Sequence, residues 1–257
     1  MAAPRLETLL GPGDPEPVQC FNPLGTAPFI LTGDHAGAAI PDRLEWLGLG
    51  KDELSRHIAL DIGVAELGRA ISRRLDAVFL SQAYSRLVVD CNRDPWSHEA
   101  IPQTCDGTPV PGNQSLSSRE RTLRIGEIHE PYHARLADEV ARRWRPGKRV
   151  VLVALHSFTL VLGRIERPWD VGILHAGGNE SFSRRLLGAF AREPGLCVGD
   201  NQPYLMDRTD YSVPRHAFGR TLDYAEIEIR QDHIADKAGQ RHWAELLCMA
   251  LEEAWRQ

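Results

Sequence analysis

The segment Arg149–Leu155 (RVVLVAL) constrains the fold more than any other part of the chain, because it is apolar at nearly every position. Such a run is typical of a strand buried on both faces, which occurs where helices cover both sides of a largely parallel sheet. The alternation of strand-like and helix-like segments predicts an α/β fold, a three-layer α/β/α sandwich with a mixed, largely parallel sheet. The other strand-length segments are Phe29–Thr32, Ala77–Leu80, Leu87–Val89, Val171–Leu174 and Glu226–Arg230, and the helical ones are Gly63–Leu75, Ala134–Trp144, Asn179–Phe190 and Gln240–Trp255.

Composition and charge exclude several classes of protein. With 42% hydrophobic and 25% charged residues, the chain of 257 residues has the composition of an ordinary globular protein. We expect a single α/β domain over residues 1–257, with an irregular N-terminal segment over residues 1–20. The net charge of −5 and the dispersed arginines favour a small-molecule partner over nucleic acid. No segment has the apolar length of a signal peptide or membrane span, so we expect a soluble, cytoplasmic protein.

One short motif matches a zinc-binding pattern that its context contradicts. His129-Glu130-Pro131-Tyr132-His133 has the spacing of the His-Glu-x-x-His motif of zinc proteases. That motif needs both histidines on one face of a regular helix, and Pro131 removes a helical hydrogen bond and must kink or split the helix. The capping box Ser117-x-x-Glu120 predicts where this helical region begins. We therefore expect a solvated or supporting role for His129.

Polar side chains follow several of the predicted strands. Because reacting groups in α/β sheets gather beyond the carboxyl ends of strands, these positions are the first candidates for chemistry. A lone histidine at a strand end is more often a hydrogen-bonded structural residue than a ligand, so only their joint placement is informative. Two neutral imidazoles and one carboxylate would leave zinc an open position for water. The segments are Asp34-His35-Ala36-Gly37, Asp90-Cys91-Asn92-Arg93, His156-Ser157-Phe158 and the pair Glu226 and Glu228.

Taken in order, five motifs resemble the N-formylglutamate amidohydrolase family over nearly the whole chain, from about Asn22 to the C-terminal helix. The resemblance implies kinship with zinc carboxypeptidases and aspartoacylase, and hence a mixed eight-stranded sheet between helices. The ordered set is specific, although no single motif is. The motifs are His35-Ala-Gly with Ile40-Pro41, Ser85-Arg86-Leu-Val-Val-Asp90-Cys-Asn92-Arg93, Pro131-Tyr132-His133, His156-Ser157-Phe158 and Ile227-Glu228-Ile-Arg230-Gln-Asp232.

The resemblance implies a zinc site held by His35 and His156. The carboxypeptidase pattern has a glutamate three residues after the first histidine, but this chain has Ala38 there. The third ligand must come from elsewhere, and Asp61 is the candidate. Because Asp61 lies just before a predicted helix, an N-cap is an equally good interpretation of it.

The resemblance also implies roles in substrate binding and catalysis. Asn92 and Arg93 match a pair that grips a substrate carboxylate, with Arg86 as an additional cation, since guanidinium forms bidentate pairs with carboxylates. The alternative is that Asp90 and Arg93 only tie down the long loop that follows. Glu228 is the expected general base. The candidates for stabilising the oxyanion are His133 and His216, although both fit ordinary polar positions too.

These residues together predict a metal-dependent amidohydrolase that removes a formyl or other small acyl group from an N-acyl amino acid such as N-formylglutamate. Zinc is the expected cofactor, and cobalt, manganese and nickel are alternatives. The competing functions are a zinc aminoacylase or peptidase acting on another small amide, and a non-catalytic binding protein of the same fold. A nucleotide-binding enzyme is disfavoured, because Ala176-Gly177-Gly178 forms neither a P-loop nor a dinucleotide fingerprint.

Overall fold

A seven-stranded mixed sheet forms the centre of the protein in a computed structural model, which describes residues 8–145 and 147–257. The spatial order of the strands is β1-β3-β2-β4-β7-β5-β6 with the bounds given below. Four central strands are mutually parallel, and the first strand pairs antiparallel at one edge. The last two in the order are parallel to each other and antiparallel to the four central strands. The strands are β1 Val18–Phe21, β2 Phe29–Gly33, β3 Val78–Gln82, β4 Val151–Phe158, β5 Val171–Leu174, β6 Val198–Asp200 and β7 Asp223–Arg230.

Helices cover both faces of this sheet. On one face α2, α5 and α7 bury their apolar sides against the sheet, and on the other face α4 and α6 do so. The three-layer α/β/α sandwich is therefore confirmed. The α-helices are α1 Lys51–Leu54, α2 Val64–Leu75, α3 Ser118–Arg124, α4 Glu130–Arg143, α5 Ser181–Phe190, α6 Ser212–Ala217 and α7 Lys237–Arg256. Two-residue strands pair at Thr104–Cys105 with Thr108–Pro109 and at Val161–Leu162 with Ile165–Glu166, and 3₁₀ turns lie at Asp42–Gly48, His98–Ala100, Pro111–Asn113, Phe218–Arg220 and Gln231–His233.

Alternation along β7 separates apolar packing from chemistry. Successive side chains of a strand point to opposite faces. Ala225, Ile227 and Ile229 belong to the core formed with α5 and α7, so Glu226 and Glu228 point to the other face, together with Tyr224. The parallel register pairs Glu228 of β7 with His156 of β4. Two acidic side chains thus lie near the carboxyl end of the sheet, on the side of α4 and α6.

The predicted strand Leu87–Val89 is wrong. These residues form a turn and pack, fully buried, in a separate apolar cluster beneath the loops together with Ile58 and Ala59. An apolar run of strand length indicates burial, but it does not show that the backbone joins a ladder. The run therefore belongs to the loop layer above the sheet.

The N-terminal region and the strand count also differ from expectation. β1 begins at Val18, inside the segment 1–20 that was expected to be irregular, and forms an antiparallel edge with β3. Residues 1–7 of that segment lie outside the described residues. The sheet has seven strands among the described residues rather than the eight that the resemblance implied.

The helix that carries the His-Glu-x-x-His letters is interrupted before the proline. The predicted capping box is confirmed, since Ser117 Oγ accepts the backbone N–H of Glu120. A π-helical turn, Ile125–His129, separates α3 from α4. Pro131 consequently follows directly after the π turn, in the first turn of α4. The backbone stays helical through Arg124, His129 and Glu130, so the expected kink or split takes the form of a π-helical turn rather than a break.

In the described part of the chain, none of the helices combines the length and apolarity that a membrane crossing requires.

Candidate active site

Three sequence-distant residues converge at the carboxyl end of the central strands. His35 follows β2, His156 lies in β4, and Asp61 lies in the loop before α2; all are buried. Each offers a ligand atom within 4.8 Å of the other two, and they are the one such group found among the described residues. The structure therefore brings together the three residues that the sequence predicts as metal ligands.

The tautomer of His35 is fixed by a carboxylate behind it. His35 Nε2 donates to Asp90 Oδ1 at 2.7 Å, so Nδ1 carries a free lone pair. That buried Nδ1 has no hydrogen-bond partner within the described ranges and lies 3.4 Å from Asp61 Oδ2. An imidazole oriented by a carboxylate is the usual arrangement of a metal-ligating histidine.

His156 has a similar arrangement on the other side of Asp61. Its Nδ1 lies 2.8 Å from Asp61 Oδ2, and its Nε2 lies 4.0 Å from Asp34 Oδ2. In the described structure neither Nε2 nor this Asp34 oxygen has a hydrogen-bond partner. The other oxygen of Asp34 accepts the hydroxyl of Tyr132. Asp34 is therefore placed to support His156 much as Asp90 supports His35.

The carboxylate of Asp61 faces the histidines and does not cap the helix. The N-cap residue of α2 is Gly63, which has φ 84° and makes no side-chain cap. A side chain at Gly63 would collide with Ile234 O, so the sharp turn requires glycine. Asp61 Oδ2 instead accepts the backbone N–H of Ser157 at 3.3 Å. Of the two interpretations of Asp61, the N-cap is wrong.

The donor set fits a divalent transition metal. Two imidazole nitrogens and one carboxylate oxygen are a donor set found in catalytic zinc sites, which leave a fourth position for water or substrate. The buried Nδ1 of His35, which has no hydrogen-bond partner among the described residues, supports this fit, because a buried polar atom without a partner is costly. The carboxylates of Asp34 and Asp90 then act behind the ligands.

A cavity of about 410 Å³ opens onto the three residues, a size within the range of small-molecule sites. Glu228 lines it, and Glu228 Oε2 has no hydrogen-bond partner among the described residues. Burial raises the pKa of Glu228 to about 7 and that of the neighbouring Glu226 well above its usual range. The other lining residues are His35, Asp61, Arg86, Asn92, Arg93, His156, Ser157, Leu174, Tyr204, Leu205, Asp207, Thr209, Asp210 and Glu226.

The pair expected to grip a substrate carboxylate is largely engaged by the protein itself. Asn92 Oδ1 accepts the backbone N–H groups of Tyr211 and Ser212 at 3.0 and 2.9 Å. Its Nδ2 lies 3.3 Å from Asp210 Oδ1. Asn92 thus fixes the start of α6 from the cavity wall. Arg93 Nη1 donates to Asn92 O at 2.8 Å, which agrees with the alternative that Arg93 ties down the loop.

Arg86 lies in the cavity wall but faces the carboxylates of the metal site. Its Nη2 is 2.7 Å from Asp90 Oδ2, and its Nη1 is 3.6 Å from Asp61 Oδ1. One guanidinium thus holds the carboxylate that orients His35 and the carboxylate that is the candidate ligand. Arg86 thus lies at the site, as the sequence predicts, but its contacts are to carboxylates of the protein itself.

The two histidines expected to stabilise an oxyanion lie elsewhere. His133 Nε2 donates to Cys91 O at 2.8 Å, so its Nδ1 accepts His216 Nε2–H at 2.9 Å. Neither ring is among the cavity-lining residues of the described structure. Burial holds the pKa of His133 well below its usual range and lowers that of His216 to about 4. They support the loop that carries Cys91 and Asn92.

The histidines of the motif His129–His133 also contact the backbone of the loop that carries Cys91 and Arg93. The rings of His129 and His133 are 4.5 Å apart, but His129 Nε2 donates to Arg93 O at 3.1 Å. Both Nε2 atoms are thus engaged by backbone carbonyls. The interpretation of this motif as a supporting element agrees with these contacts.

The sequence interpretation gave no role to Asp34, and it gave Asp90 only a role in holding the loop. Both acids stand directly after apolar runs, Asp34 beside His35 and Asp90 four residues after Arg86. Their positions next to predicted site residues were the one feature of the sequence that could have indicated a role at the site. Sequence alone could not show that each carboxylate would face a histidine of another strand or loop.

Comparisons with known proteins agree with this geometry. Residues 27–235 match the family model of N-formylglutamate amidohydrolase. A gene product of Agrobacterium tumefaciens has a similar structure, with 33% identity, a TM-score of 0.92 and coverage of 96% of this chain and 98% of that one. An N-formylglutamate amidohydrolase from Ralstonia eutropha shares the fold at 20% identity and a TM-score of 0.67, over 94% of this chain and 99% of that one.

No curated protein matches the chain significantly. The family model covers most of the chain, and the structural similarity to the Agrobacterium protein extends over nearly all of it. The chain belongs to the N-formylglutamate amidohydrolase family.

Proposed function

We propose that the protein is a zinc-dependent amidohydrolase that removes a formyl or other small acyl group from an N-acyl amino acid. The observation that carries the proposal is the buried Nδ1 of His35, which faces Asp61 beside His156 and has no hydrogen-bond partner in the described part of the chain. Family membership supports hydrolysis of an amide in such a substrate. The cavity admits a small molecule, in keeping with this substrate class.

Glu228 is the proposed general base. When bound, the ion would polarise the scissile carbonyl and lower the pKa of water. Glu228 lies beside His156 in the sheet register and lines the cavity. Its carboxylate would take a proton from the attacking water and deliver it to the leaving nitrogen. Its raised pKa, about 7, suits a group that must both accept and return a proton near neutral pH.

Charged side chains around the site would orient the candidate metal ligands and the substrate. Asp90 and Asp34 would orient His35 and His156, and Arg86 would hold Asp61 and Asp90. Arg93, supported by Asn92, remains a cavity-lining cation that we propose to face an anionic substrate. Because their rings lie behind the wall, we propose only a supporting role for His133 and His216.

The test is release of formate or acetate from a panel of N-acyl amino acids by the purified protein. We expect turnover with about one metal ion per chain, loss of turnover after chelation, and recovery when Zn²⁺ is restored. A preference for acetyl over formyl substrates would identify acetyl as the acyl group that is removed. Absence of both turnover and stoichiometric metal would overturn the proposal in favour of a binding protein.

A further inference from the structure

Arg167 is a buried cation to which the sequence analysis assigned no role. It directly follows the short hairpin Val161–Glu166, which comes after β4, and it is only 5% exposed. Its Nε donates to Thr159 O at 2.8 Å and its Nη1 donates to the hydroxyl of Tyr204 at 2.7 Å. The third nitrogen, Nη2, is buried without a hydrogen-bond partner among the described residues.

No carboxylate of the described chain forms an ion pair with Arg167 within 4.0 Å, unlike Arg86, which contacts two. Burial of an unpaired charge is costly, so such a group usually meets an anion in use. Arg167 therefore has both an unsatisfied donor and an unbalanced charge. Both features favour an anionic ligand.

The guanidinium is held rigidly near the proposed reaction centre. Its Cζ lies 5.1 Å from the ring centre of Phe158 and 5.3 Å from that of Tyr204. Phe158 is two residues beyond His156 in β4, so the two side chains share a face of the sheet about 7 Å apart. The Arg167 guanidinium, which stacks on Phe158, is thus separated from the candidate ligand His156 by about the length of a small molecule.

Tyr204 connects Arg167 to the cavity, whose wall it helps to form. Because its oxygen accepts a hydrogen bond from Arg167, its own O–H is free to donate. Burial and the negative charge of Glu228 raise the pKa of Tyr204, so the hydroxyl stays protonated at neutral pH. The Tyr204 hydroxyl lines the cavity, and the buried guanidinium of Arg167, which is not among the described lining residues, lies directly behind it. A hydroxyl donor supported by a positive charge is suited to a carboxylate.

We propose that Arg167 and Tyr204 form a binding site for a carboxylate group of the substrate. The inference rests on the proposed function in one respect, since it takes the ligand to be an N-acyl amino acid. In that class the carboxylate is separated from the reacting acyl carbon by a few bonds, which matches the separation of Phe158 from His156. The site would select acids over their neutral amides.

The kinetic test compares Arg167→Gln with the wild-type holoenzyme on N-formylglutamate and its neutral diamide. Loss of a charge-assisted contact should raise KM for the acid by about tenfold or more and change kcat/KM for the diamide by less than about threefold. Tyr204→Phe, which removes only the hydroxyl, should give a smaller change in the same direction. Arg164→Gln, an exposed arginine of the same hairpin, is the matched control and should leave both substrates unchanged.

A binding experiment keeps this inference separate from the proposed function. Glutarate has no amide bond, and 1,5-pentanediol is a neutral analogue; titration calorimetry measures both without turnover. We expect the wild type to bind glutarate and to lose that binding at least tenfold in Arg167→Gln. If no substrate is hydrolysed but this pattern holds, the hydrolytic proposal fails and the carboxylate site stands. Equal acid-to-amide selectivity, or equal glutarate binding, in the wild type, Arg167→Gln and Tyr204→Phe would overturn the site.

Discussion

Two clusters of buried histidines lie in this protein, and they differ in their partners rather than in their spacing. The first, the metal cluster, contains His35, Asp61 and His156; the second, the imidazole cluster, contains His129, His133 and His216. The rings of His35 and His156 are 4.9 Å apart, and those of His133 and His216 are 5.2 Å apart. Proximity of imidazoles therefore does not distinguish a metal site from a structural one.

The partners do distinguish them. Both histidines of the metal cluster lie next to carboxylates. One ring nitrogen of each has no hydrogen-bond partner in the described structure. In the imidazole cluster the partners are backbone carbonyls and a second imidazole. Negative charge together with an unused lone pair favours a cation, whereas carbonyl partners favour a neutral ring. The comparison teaches that a histidine's function is decided by what faces its two nitrogens.

The largest effect should come from replacing a residue of the metal cluster. His35→Asn should lose stoichiometric metal and lower kcat/KM by more than about 10³-fold, because a three-ligand site would retain two ligands. The measurement is metal content per chain together with acyl-group release. The matched variant His133→Asn should retain its metal. Equal metal content in the two variants would erase the distinction between the clusters.

The second effect concerns the proposed base beside the metal cluster. Glu228→Gln keeps the shape of the side chain but cannot take a proton, so kcat should fall by about 10² to 10⁴-fold with metal content unchanged. Full turnover by a zinc-loaded Glu228→Gln protein would remove Glu228 from the mechanism. The neighbouring Glu226→Gln variant, which makes the same substitution at the other buried acid of β7, serves as the control.

A smaller effect is expected from the carboxylate that orients His35. Asp90→Asn keeps an acceptor but removes the charge, and such changes weaken metal affinity by about 10- to 100-fold. Competition with a chromogenic chelator measures this affinity. Because Asp90 also contacts Arg86, thermal unfolding of the zinc-loaded variant is the check on folding. Unchanged affinity in a folded variant would show that the carboxylate behind His35 does not support the ion.

The last effect is on stability, and it concerns the imidazole cluster and pH. Burial lowers the pKa of His216 to about 4, below the usual value near 6.5. The unfolded chain therefore binds the proton more readily than the folded chain does. The stability that depends on a neutral His216 is complete above pH 6.5, and it is lost as the pH falls toward 4. The free energy lost over that window is up to about 3 kcal/mol. Chemical denaturation at pH 7 and pH 4.5 measures it.

His216→Gln provides the comparison, because glutamine retains a hydrogen-bond donor but cannot titrate in this range. We expect the variant to be less stable than the wild type at pH 7 by about 1 kcal/mol, and the gap to narrow or reverse at pH 4.5. An identical pH dependence in both proteins would contradict the assignment of a neutral, buried His216.

The sequence predicted the sheet centre and the metal cluster better than it predicted their surroundings. Arg149–Leu155 and the residues after it are constrained by burial on both faces, so β4 and the position of His156 followed from hydrophobicity. The edge strands β1 and β6 were missed because they are short and only partly buried. Leu87–Val89 was assigned wrongly because a buried turn and a buried strand have the same composition.

Site residues in loops were harder to assign than those in strands. Whether Asp61 ligates or caps depends on the backbone at Gly63, and nothing in the residue types decides that. Asn92 looked suited to bind substrate, yet its amide oxygen accepts backbone N–H groups more than a hundred residues away. Arg167 carried no motif at all, and its isolation from carboxylates is visible only in three dimensions.

The alternation within β7 makes that strand intolerant of insertions. Adding or removing one residue between Asp223 and Glu226 would shift the period-two pattern and turn both glutamates into the layer formed with α5 and α7. Loops around the cavity can lengthen, shorten or change composition without this consequence. Sequence divergence within the family should therefore accumulate in the loops around the cavity. Insertions and deletions within the eight residues of β7 should be absent from active members.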